Sequence, residues 1–103
     1  MITKTKSSDK RHAVVITTEF RGVFFGYLPA DTDLTQKTLT PIDARMCVYW
    51  PQQELGVVGL AANGPVHGSR VTPAAPSIIL HGVTAVMECT PTAVKAWESE
   101  PWS

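Results

Sequence analysis

Four side chains in this sequence have the chemistry to recognise a flat anion: Arg45 and Tyr49, four residues apart in the run from Ala44 to Pro51, and Arg21 and Arg70 from flanking segments. Guanidinium groups pair with phosphate in a fork geometry, and aromatic rings stack on bases. Read as a strand, residues 44–50 alternate, so Arg45, Cys47 and Tyr49 share one face while Ala44, Met46, Val48 and Trp50 share the other. The second face reads as core and the first as the candidate surface. Arg45 and Tyr49 stand about 13 Å apart by the strand rise, flanking Cys47. Arginine, tyrosine and tryptophan are also the residues enriched where proteins meet, so the same face fits a subunit contact.

Other chemistries lack their residues. His12, His67 and His81 are scattered, with no pair at the spacing of a helical metal site, and Cys47 and Cys89 have no neighbouring ligand. Asp31 and Asp33 resemble the start of a calcium loop, but the required glycine and glutamate do not follow. The glycines at 56 and 59 fit neither a dinucleotide fingerprint nor a phosphate loop. No nucleophile elbow is present, and the carboxylates are spread over turns and termini. The expectation is a protein with no catalytic residue, no metal and no cofactor, and hence no enzyme.

The elements that must position Arg45 and Tyr49 follow from local pattern. Residues 12–18 and 23–28 are β-branched and aromatic runs joined through Gly22, a hairpin with Arg21 at its tip. Gly26, inside the second strand, marks a bulge or a close approach by another group. A short polar strand over 36–40 leads through Pro41 into the central strand. Residues 53–62 give a short helix with Leu55, Val58 and Ala62 on one face, stopped by Asn63-Gly64-Pro65. Prolines at 65, 73 and 76 keep the next stretch, which carries Arg70, from forming a long strand. Residues 77–80 and 82–89 read as strands kinked at His81-Gly82. Thr90 and Pro91 then start a helix to about residue 98, with Val94 and Trp97 facing the sheet. The fold class is α+β and β-rich, one mostly antiparallel sheet with a short middle helix and a C-terminal helix.

The chain of 103 residues has room for one core, here residues 12–103, behind a mobile basic tail over 1–11. Only 17% of residues are charged against 44% apolar, which suggests surface hidden in subunit contacts and a homo-oligomer. A formal net charge of zero argues against a nucleic-acid polymer as partner. With no apolar leader and no run long enough to span a bilayer, the sequence reads as a soluble cytoplasmic protein without a membrane partner, its two cysteines as buried thiols.

The order of elements resembles a family of small phage-encoded proteins catalogued as a domain of unknown function. The resemblance spans about residues 12–98 and rests on Gly22-Val-Phe-Phe-Gly26, Ala44-Arg45 leading to Tyr49-Trp50, Leu60-Ala61, Pro76-Ser-Ile-Ile-Leu80 and Cys89-Thr-Pro91. Met46 and Cys47 depart from it, standing where the pattern carries bulkier or basic residues. The resemblance implies a phage accessory protein in the host cytoplasm, and no catalytic motif comes with it. Such proteins often block host defence, which implies a non-enzymatic binder that sequesters a host factor or a small anionic nucleotide. The alternatives are a virion or assembly component, with Trp102 docking on other copies, and a small nucleotide hydrolase.

Overall fold

The computed structural model describes residues 11–19, 22–51 and 56–101. Residues 1–10 of the expected tail, Arg21, Leu55 and Trp102 lie outside the described residues. The fold is a small β-rich α+β fold. Strands β1 (His12–Thr18), β2 (Val23–Leu28), β3 (Thr38–Leu39) and β4 (Ile42–Tyr49) are followed by helix α1 (Gly56–Ala62). Strands β5 (Arg70–Val71), β6 (Ala75–Ser77), β7 (Leu80–His81) and β8 (Val83–Glu88) then lead to helix α2 (Pro91–Ser99).

The main sheet runs β5-β4-β2-β1-β8, with β6 also beside β4, and every pairing is antiparallel. β1 lies inside the sheet, between β2 and the edge strand β8, and its Val14, Val15 and Ile16, which have both faces to bury, are all fully buried. β5 and β6 lie along the same edge of β4, Cys47 opposite Val71 and Ala44 opposite Ala75. They form one edge strand interrupted at Pro73, the expected effect of proline on a ladder.

Each face of the sheet closes a separate core. On one, Val15, Phe25, Tyr27 and Cys47 pack under α1 and α2 through Leu60, Ala61, Ala93 and Trp97. On the other, Val14, Ile16 and Leu28 pack against Leu39 and Leu80 of the small β3–β7 sheet. The hairpin and the C-terminal helix stand where the sequence places them. Thr90 caps α2, its hydroxyl accepting from the Ala93 N–H at 3.0 Å, with Pro91 opening the helix.

Two expectations are corrected. The middle helix buries Gly59, Leu60 and Ala61, not Val58, which is 69% exposed, nor Ala62. The central strand departs from its expected faces at three positions: Arg45 and Cys47 are buried on the helix-covered side and Val48 is 58% exposed, while Ala44 is buried, Trp50 packs against the core and Tyr49 is exposed as expected. β4 pairs with β2 no further than Met46, opposite Phe24, so Val48 lies beyond the cover that would have buried it.

Gly26 marks a close approach and lies opposite a bulge whose extra residue is in β4. Phe25 faces Arg45 while Tyr27 faces Ile42, so two steps along β2 match three along β4, a bulge. A Cβ on Gly26 would meet Pro41 Cβ at 2.6 Å. Gly26→Ala is therefore expected to cost about 1–3 kcal/mol by overpacking, read as a lowered urea midpoint with an unchanged m-value.

Candidate functional site

Where β2, β4 and the end of α2 converge, a cleft of about 420 Å³ opens, lined by Arg11, Phe25, Tyr27, Asp43, Arg45 and Glu98, with Glu100 and prolines 73 and 101 at its rim. A concave site with an aromatic wall and converging charges is the usual form of a binding site. β2 supplies the wall: Phe25 and Tyr27 lie on the same face of the strand, their rings edge to face with centroids 5.3 Å apart. Phe25 stacks in turn on Trp97 of α2, at 5.0 Å and 8°.

Arg45 is the back of the cleft and is 7% exposed. Its guanidinium donates to three backbone carbonyls: Nε to Thr72 at 2.7 Å, Nη2 to Glu100 at 2.7 Å, and Nη1 to Trp97. The last turn of α2 has no basic residue. A helix C-terminus leaves carbonyls unpaired and carries partial negative charge, so a cation there is favourable. Arg45, arriving from β4, provides it. Burial lowers the pKa of this arginine and the charge of Glu100 opposes the shift, but a guanidinium stays charged in proteins.

Capping fixes the end of α2, and with it Glu98 and Glu100. The Tyr27 hydroxyl donates to Glu98 Oε2. Burial, then this bond and the charge of Glu98, push the phenol pKa well above its ordinary value. Asp43, the residue of the β4 bulge, holds φ at 49°, a conformation few side chains other than asparagine and aspartate adopt. On the open side, the Arg11 guanidinium carbon sits 3.8 Å from the centroid of the Tyr27 ring.

The residues singled out in the sequence are divided by the fold. Arg45 is in the cleft, but as a helix cap and not as an outward-facing contact. Tyr49 and Arg70 are direct cross-strand neighbours, both exposed, Tyr49 at 52%. Tyr49 lines a smaller hollow of about 280 Å³ formed by residues 46–50. Arg21 lies outside the described residues. Sequence reasoning missed Arg11, Tyr27, Asp43, Glu98 and Glu100. One signal was available: Glu98 and Glu100 at the end of a helix whose last turn has no basic residue oppose its dipole, so a cation arriving from elsewhere is favoured there.

Among the described residues, no three His, Cys, Asp or Glu side chains come together as a metal site. No described helix is long and apolar enough to cross a membrane. Neither cysteine is in a disulfide. Burial pushes the half-buried Cys89 thiol up to about 12. At pH 8 iodoacetamide is expected to modify it about a thousandfold more slowly than an unhindered cysteine. Because its folded pKa lies above the unfolded one, its contribution to stability is intact below about pH 9 and is lost as pH climbs toward about 12. Mass-spectrometric labelling against pH checks the first statement, and melting temperature against pH the second.

No curated protein and no solved structure matches the chain. A family model does, over residues 11–97, a span that takes in the hairpin, β4 and nearly all of α2. With most of its length covered by that match, the chain belongs to the family described as a domain of unknown function, DUF6948.

Proposed function

We propose that the protein is a non-catalytic binding protein that sequesters a partner at the Arg45-backed cleft. The observation that carries this reading is the state of the two buried polar side chains of the cleft, Arg45 and Tyr27, both of which are held by hydrogen bonds. Arg45 is spent on three carbonyls, and Tyr27 is tied to Glu98 with its pKa moved away from neutrality. A general base or nucleophile works best with a pKa near the operating pH. The partner class that fits is a host protein, in line with the phage setting the sequence pattern implies. An anionic nucleotide would meet three carboxylates, Asp43, Glu98 and Glu100, against two guanidiniums, one of them already saturated.

Affinity capture from a bacterial host lysate tests the reading. A partner retained by the wild type is expected to be lost with Glu98→Lys, which inverts the charge of the cleft, and kept with Arg70→Ala at the other surface. Retention of the partner by Glu98→Lys contradicts it. Recovery of intact nucleotide after incubation and denaturation separates binding from hydrolysis, and turnover of any nucleotide would count for an enzyme. A second reading, self-association, is favoured by the adjacent exposed Val48 and Tyr49. Light scattering checks it: a small oligomer supports a contact through this corner, and a large ordered assembly supports a virion component.

A further inference from the structure

We propose that the cleft is a seat for a guanidinium or ammonium group supplied by the partner, and that the chain's own Arg11 fills it in the unbound protein. This rests on the cleft being the binding site and names what it binds. The aromatic face of Tyr27 already carries a cation, Arg11, at 3.8 Å. A ring quadrupole attracts a cation placed over its face, and nearby carboxylates deepen the attraction. Tyr27 is buried, its hydroxyl turned onto Glu98, so the ring presents a fixed face. Asp43 and Glu100 share the lining, and Arg45, the other cation, is occupied by carbonyls. The field at the ring face is negative.

Arg11 is a weak occupant. It is exposed and, among the described residues, forms no ion pair, so the ring and the field of the carboxylates are what hold it. A contact of this kind at an exposed site changes an equilibrium constant by about two- to fivefold. The cleft remains open with Arg11 in place. A partner that presents an arginine or lysine and makes further contacts therefore displaces Arg11 at small cost. Arg11 acts as a competitor for the site it covers.

The test is a titration followed in two-dimensional amide NMR spectra, with N-acetylargininamide as the probe and ADP-ribose as the anionic comparison. Saturable shifts are expected at Tyr27, Asp43 and Glu98 with the argininamide, and none there with ADP-ribose. Arg11→Ala and Arg11→Gln, at an exposed position, are expected to bind the probe about two- to fivefold more tightly than the wild type. Added salt should weaken binding in all three. No saturable shift in any of the three proteins, or weaker binding by both variants, overturns the proposal. If the argininamide fails while Glu98→Lys still abolishes partner capture, the seat is wrong and the binding cleft stands. If Glu98→Lys leaves capture intact, the cleft reading itself has failed.

Discussion

Arg45→Ala is expected to lower the stability of the protein by about 3 kcal/mol, one of the two largest effects of a single substitution considered for this chain. The change removes a charged donor from three carbonyls at once and leaves the end of α2 without its cap, where each unsatisfied buried group costs about 1–3 kcal/mol. Water entering the opened cleft recovers part of that, which keeps the sum near the lower bound of the three. For a domain of about this size, the loss corresponds to a melting temperature lower by about 12–24 °C. Arg45→Lys is expected to restore less than half, because one ammonium cannot span carbonyls from Thr72, Trp97 and Glu100 as a planar fork does. Thermal denaturation of both variants, followed by circular dichroism, checks this. A melting temperature for Arg45→Ala within 2–3 °C of wild type, about 0.5 kcal/mol, would mean that the guanidinium is available for a ligand after all.

Trp97→Ala should be comparable or larger, at about 3–5 kcal/mol. Trp97 is fully buried, stacks on Phe25 and donates its indole N–H to the Leu60 carbonyl at 3.0 Å, joining both helices to the sheet. Since a domain of this length has total stability of about 5–15 kcal/mol, the variant is expected to lose a large share of it. Trp97→Phe keeps the ring stack and loses the hydrogen bond, so about 1–2 kcal/mol is expected, the cost of leaving the Leu60 carbonyl unpaired plus a small cavity. Urea denaturation of the pair separates the two contributions. Equal losses in Phe and Ala variants would show that the stack on Phe25 contributes nothing.

The hairpin, the kink at Gly82 and the start of α2 were legible in the sequence because their signals are local. A β-branched run closes through a glycine, a glycine takes φ of 67°, and threonine precedes proline at a helix start. The inward face of β4 was not legible. Alternation groups Arg45 with Cys47, both buried, but it fails at Tyr49, which is 52% exposed beyond the register irregularity between Cys47 and Tyr49. Nor does it say which face meets the helices. That is decided by α1 and α2 covering one face and by β2 ending its pairing at Met46. A buried arginine on an apolar face reads as surface until its three carbonyl partners are seen. Two of those partners lie on residues more than fifty positions away. The cleft was hidden for the same reason, since Tyr27, Asp43 and Glu98 come from three elements and meet only in the folded chain.

The central claim is that a partner is held at the Tyr27–Glu98 cleft. The measurement that reaches it most directly is hydrogen–deuterium exchange on the wild-type protein with and without its captured partner, which needs no substitution. The account predicts added protection in the segments that line the cleft, 24–28, 42–46 and 97–101, with residues 47–50 and 69–72 unchanged. Protection at 47–50 and 69–72 with the cleft segments unchanged would contradict it, and would move the binding surface to Tyr49 and Arg70.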